Sequence, residues 1–119
     1  PVWIAALASS EASNREALET AGCRILSCED HQGKVALPEL LDDLGAEGIS
    51  SLLIEGGAVT ARHFLDEGLI DRIVLFTSNT LVGEGGIAAP LDRAHMPAGF
   101  ELVRQETYDP DLRRDYVKV

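Results

Sequence analysis

The stretch "SLLIEGGAVTARHFL", Ser51 to Leu65, decides how the chain is read. Leu52-Leu53-Ile54 is an unbroken apolar run of the kind carried by a strand buried on both faces. The residues from Ala58 onward read as a helix. Between the two stand a carboxylate, Glu55, and two glycines, Gly56 and Gly57. The backbone N–H groups that open a helix have no internal partners and sit at the positive end of its dipole. Glycines just before them let an anion approach, because no Cβ stands in the way. Such a corner can hold a phosphate or pyrophosphate through the main chain alone, and open α/β sheets place ligands at strand C-termini. The pattern is neither GxGxxG nor GxxxxGK[ST]. A tight β–α turn that needs glycine for its backbone angles is the other reading. Glu55 is harder to place: a carboxylate closing a buried strand is costly unless it meets a ligand hydroxyl, an amine or an arginine.

Working outward, Val2 to Leu7 reads as a first buried strand. Ser13 and Glu16 fit a Ser-x-x-Glu capping box and Gly22 a helix stop, which predicts a helix over Asn14 to Ala21. Arg24 to Ser27 is a second strand, and "EDHQGK" a polar turn. Pro38 suits the first turn of a second helix, and "ELLDDLGAEG" carries it to a glycine stop. Ile49 to Ile54 is then a third strand, Ala58 to Glu67 a third helix stopped by Gly68, and Asp71 to Ser78 a fourth strand. Strand and helix alternate, the order of a parallel sheet with crossover helices, and the unbroken run at Ile49–Ile54 suits its centre. The tail differs. A long loop holds Gly83, Gly85 and Gly86, a cluster that either closes over a ligand or is plain surface. "FELVRQETYDPDLRRDYVKV" then predicts an antiparallel hairpin about Asp109–Asp111.

The 119 residues suit one domain, and 45% hydrophobic content supports a core made mostly of aliphatic side chains. A formal charge of −10 argues against nucleic acid and against an anionic membrane surface. It leaves room for a phosphorylated small molecule. No apolar run reaches the length of a membrane span, and the first residues lack the basic region of a signal peptide. The chain starts without Met on an apolar run, as a piece of a longer protein would. Cys23 and Cys28 flank one short strand, about 16 Å apart if extended, too far for a bridge. They read as reduced cysteines of a cytoplasmic protein. His31, His63 and His95 have no ligand spacing, so no metal site is expected. Ser9 and Ser10 read as helix-capping residues, and no hydrolase motif appears.

A longer resemblance rests on "ISSLLIEGGAVTARHFLDEGLIDRIVLFTSNTLVGEGG", Ile49 to Gly86. The apolar run ending in Glu55-Gly56-Gly57, the helix with Thr60 and "FLDEGLID", and the strand leading into "LVGEGG" resemble the C-terminal reductase domain of the riboflavin-biosynthesis deaminase/reductase. "ALETAGCRIL" and "VALPELLDDLGAEGIS" fit the same spacing. The resemblance implies an α/β fold like that of dihydrofolate reductase: three layers, a mostly parallel central sheet flanked by helices, and a C-terminal antiparallel hairpin. It implies an NADPH-dependent reductase acting on a phosphorylated pyrimidine, 5-amino-6-(5-phosphoribosylamino)uracil, whose ribosyl group becomes ribityl. Glu55 would contact substrate. Gly56, Gly57, Ala58, Val59, Thr60, Ala61, Arg62 and His63 would line the cofactor, and the Gly56–Gly57 peptide bond would be cis. Family domains pair, so a homodimer is expected, with Phe100–Thr107 and Leu112–Val119 at or near its interface. The family's domain is longer at its N-terminus. The 119 residues by themselves are therefore expected to bind NADPH weakly and to turn over slowly or not at all. A non-catalytic nucleotide-binding module or an oligomerisation fragment of the same fold are the alternatives.

Overall fold

The computed structural model describes every residue from Pro1 to Val119. It divides into two compact units, Pro1–Leu53 and Ile54–Val119.

The first unit is built on a parallel pair, β1 (Trp3–Leu7) and β2 (Arg24–Cys28), in register from Trp3 opposite Arg24 to Leu7 opposite Cys28. Helix α1 (Ala12–Thr20) makes the crossover between them. It buries no residue fully. What fixes it is polar: the half-buried Arg15 donates from Nε to Ser10 Oγ at 2.8 Å, and its two terminal nitrogens donate to Ser27 Oγ at 3.0 Å and to the Leu7 carbonyl at 2.9 Å. One guanidinium thus ties the helix to the ends of both strands. Its rigid fork of donors suits this better than a lysine would. The short antiparallel pair β3 (Asp30–His31) and β4 (Lys34–Val35) follows. Helix α2 (Leu37–Ala46) opens with Pro38 and carries Leu37, Leu40, Leu41 and Leu44 as its buried or half-buried stripe. That i, i+3, i+4, i+7 spacing is one helix face. Cys28, Ala36 and Leu37 are the most buried apolar residues here.

The second unit holds α3 (Ala58–Asp66) and an antiparallel sheet in the order β5 (Arg72–Thr77), β7 (Asp111–Lys118), β6 (Phe100–Tyr108). Ile73 faces Tyr116 across the β5–β7 ladder, and both are buried. Gln105 faces Arg114 across β6–β7 and accepts its Nε–H at 3.0 Å. The β6–β7 hairpin turns at Asp109–Pro110, joined by a cis peptide bond. A register shift between Leu102 and Arg104 bulges β6, and Glu101, Arg104 and Glu106 line that edge strand. Bulges and charges are devices that keep an edge from pairing with strangers.

Each predicted helix stop holds. The amides of Gly22, Gly48 and Gly68 reach back three residues, and those of Cys23, Ile49 and Leu69 reach back five, to carbonyls of the last turns. All three glycines have positive φ, which a side chain would disfavour.

Other expectations are corrected. The run Ile49–Ile54 forms no strand and pairs with none, and Leu53 is 78% exposed. An apolar run states a preference for burial, but a strand also needs a neighbour in register, and no ladder is made here. The sheet is not mostly parallel. Only β1–β2 is; β5 runs antiparallel to β7, because the C-terminal hairpin supplies its partner. Helix α1 starts before the predicted capping box. Glu11 occupies the cap position without a side-chain cap bond, and Ser13 lies inside the helix. The "EDHQGK" turn carries the small β3–β4 hairpin, its Gly33 N–H bonded to Asp30 Oδ1 at 2.7 Å.

Candidate functional site

The glycine pair and the helix of the corner are built as the sequence suggests, while the strand expected before them is not formed. Gly57 is the N-cap residue, and the first helical bond runs from the Ala61 N–H to the Gly57 carbonyl at 3.0 Å. The N–H groups of Ala58, Val59 and Thr60 are left with no acceptor inside the helix. The Gly56–Gly57 peptide bond is cis, as the resemblance implies. Gly56 has φ of +126°, a conformation that side chains disfavour. A Cβ added at either glycine would meet no heavy atom within 4 Å. No heavy atom crowds the two glycines that precede the free amides. Crowding from the protein itself does not require glycine at either position, and the donors are of the kind that bind anions. This set fits the phosphate groups of a dinucleotide.

The eight positions expected to line a cofactor do not have equal means. Gly56, Gly57, Ala58, Val59 and Thr60 lie at the opening turn. From Ala61 onward the amides are committed to the helix, so Ala61, Arg62 and His63 have only side chains to offer. The side chain of Arg62 donates to the carbonyl of Pro90. That of His63, mostly shielded, lies with Nε2 3.9 Å from Glu67 Oε1, one turn further along. Thr60 is exposed.

Glu55 is exposed and meets no arginine. This corrects the expectation of a buried carboxylate in need of a partner. The segment before it is not a buried strand, so its charge keeps its water.

Past β5, the glycine-bearing loop runs between two local turns. At the near end the Thr80 N–H donates to Ser78 Oγ at 3.2 Å. At the far end a short 3-10 helix (Arg93–His95) is capped by Asp92, which accepts from the N–H groups of Ala94 at 2.7 Å and His95 at 2.9 Å. The His95 ring stands 2.9 Å from the same carboxylate and, with these amides, holds it below the usual aspartate range. Between these ends Leu81, Val82 and Ile87 are 92%, 91% and 90% exposed. The loop's glycines are visible in the sequence, whereas no motif marks the arginine that reaches the loop.

Comparison with known proteins places the chain. The family described as RibD C-terminal domain matches residues 1–113. The chain is 30% identical over 90 residues to the riboflavin biosynthesis protein RibD of Bacillus amyloliquefaciens, a match covering 76% of this chain and 23% of the relative. It is 26% identical over 121 residues to the protein of the same name from Actinobacillus pleuropneumoniae, covering 98% of this chain and 32% of the relative. The chain thus spans about a quarter to a third of the length of these relatives. Among solved structures it is similar to Acinetobacter baumannii RibD, with a TM-score of 0.68 and 27% identity, over 88% of this chain and 29% of that one. It shares its fold with a pyrimidine reductase-like protein from Corynebacterium diphtheriae, TM-score 0.72 at 17% identity, over 99% of this chain and 49% of that one. With nearly its whole length matched, the chain belongs to the RibD C-terminal domain family.

Proposed function

We propose that the chain is the cofactor-binding part of an NADPH-dependent reductase of riboflavin biosynthesis, which reduces the ribosyl group of 5-amino-6-(5-phosphoribosylamino)uracil to ribityl. The observation that carries this reading is the corner: three unpartnered helical amides follow two glycines that no heavy atom crowds. Family membership supports the pathway, since the relatives are named for riboflavin biosynthesis. In this reading Gly56 and Gly57 admit the pyrophosphate and the amides of Ala58, Val59 and Thr60 hold it. Ala61, Arg62 and His63 flank it. Glu55, exposed and charged, accepts hydrogen bonds from the sugar hydroxyls of the substrate. NADPH, when bound, supplies the hydride that reduces the sugar carbon. The protein's part is to bind both molecules and orient them.

The same reading takes the fold to be the three-layer one of dihydrofolate reductase, the location to be cytoplasmic and the assembly to be a homodimer through the C-terminal strands. Phe76, 62% exposed on β5 beside the Tyr108 ring, supports a covered sheet face. The test is NADPH oxidation by the full-length protein. Oxidation that depends on the phosphoribosylaminouracil is the expected result. Tight NADPH binding without oxidation would leave a non-catalytic binding module, and the absence of both would leave a structural fragment.

A further inference from the structure

The loop after β5 poses a physical problem. Three large aliphatic side chains, Leu81, Val82 and Ile87, lie within seven residues and are each at least nine-tenths bare. Each forgoes the stabilisation that burying such a side chain returns. Gly83 and Gly85 between them both have positive φ. Short local turns mark its two ends, Thr80 N–H to Ser78 Oγ and the Asp92 cap. The one side-chain bond from α3 to this stretch is that of Arg62 to the Pro90 carbonyl. Arg62 and Val59 are three residues apart, hence on one side of α3. Val59 is itself 81% exposed and stands in the opening turn, beside the free amides. The loop is therefore hung from the flank of α3 that leads to the glycine corner.

We infer that Arg62 is a positioning residue. It straps the segment Leu81–Pro90 to α3, so that the segment closes its aliphatic side chains, with Val59, over a dinucleotide held at the corner. This rests on the proposed function. The guanidinium acts through the Pro90 carbonyl. It holds the hinge end of a lid whose closed state is stabilised by covering apolar surface on the ligand and on the loop together. Ligand dissociation must then wait for the lid to open.

The test is limited proteolysis of the full-length protein with and without NADPH, cutting at Leu81 with chymotrypsin and at Val82 with elastase, beside equilibrium NADPH binding. The expected result is that saturating NADPH slows both cuts about tenfold or more, as a lid closed nine-tenths of the time or more requires. Arg62→Gln should keep the wild-type melting temperature, bind NADPH about tenfold more weakly with faster release, and lose the protection, the scale of a lost charged hydrogen bond. Arg62→Lys should restore part of it. Should Arg62→Gln fold poorly, Ile87→Ser, which leaves the strap intact, serves in its place and should weaken protection in the same way. Tight NADPH binding with unchanged cutting overturns the lid and leaves the proposed function standing. Protection of Arg62→Gln equal to wild type overturns the strap. No NADPH binding by the wild-type protein overturns the proposed function and the lid together.

Discussion

Arg113 grips Asp115 with two hydrogen bonds, Nε to Oδ1 at 2.7 Å and a terminal nitrogen to Oδ2 at 2.8 Å, although both belong to the same strand. Residues two apart on a strand share a face, so the fork and the carboxylate lie side by side. Arg72, on the neighbouring strand, binds Oδ2 as well. Asp115 is wholly removed from solvent, in the central strand of its sheet. A buried carboxylate is tolerable only with such partners.

The pH dependence follows. Arg113 first, and Arg72 after it, hold the Asp115 carboxyl down to about 2, against the opposing effect of its burial. In the unfolded chain it titrates near about 3.9. The folded value is the lower one, so the stabilisation is complete above the unfolded pKa and is lost as pH falls through about 4 toward about 2. Asp115→Asn should melt several degrees lower at neutral pH and show a flatter loss of stability between those limits. Melting curves across that range check it. Parallel curves for the two proteins would mean that the pair is not what acid breaks.

Arg15→Ala removes three hydrogen bonds that hold α1 to the strand ends. With no fully buried side chain on the helix, little else replaces them. A loss of about 1–2 kcal/mol is expected, below the full value of three charged bonds because the site is partly wet. Denaturant unfolding measures it, and hydrogen exchange should report faster opening of Ala12–Thr20 ahead of the rest.

Phe76→Asp places a charge on the exposed ring that neighbours Tyr108. If that sheet face is the contact between two copies, sedimentation should find the variant as monomer where the wild-type protein is a dimer. The variant's melting temperature as a monomer should hardly change, since the ring is mostly in water.

Much of the local structure was legible because it is locally determined. The three helix stops follow from glycines that adopt positive φ, and α3 from the glycine pair and the apolar spacing behind it. The hairpin around Asp109–Pro110 was legible from its turn and alternation. What failed was non-local. Nothing in Arg72–Thr77 says that its partner lies some forty residues on and runs the other way. Nothing in Leu52-Leu53-Ile54 says whether a neighbouring strand exists. Burial of Glu55 would need that strand, so the carboxylate is exposed where the strand is not formed. The Arg15 and Arg62 contacts join residues distant in sequence through single side chains, and composition carries no trace of either.

The central claim is that the Glu55-Gly56-Gly57 corner holds NADPH and turns its carboxylate to the sugar substrate. Steady-state kinetics of Gly57→Val and Glu55→Gln in the full-length protein test it most directly. A Cβ at residue 57 would meet no heavy atom within 4 Å, and on this account the valine side chain obstructs the phosphate. It should raise the KM for NADPH about tenfold or more, the scale of a lost charged hydrogen bond, and leave the substrate KM in place. Glu55→Gln should do the reverse and weaken transition-state binding of the sugar substrate by about 1.5–3 kcal/mol. Normal kinetics toward both ligands in both variants would contradict the account and leave the corner as a turn.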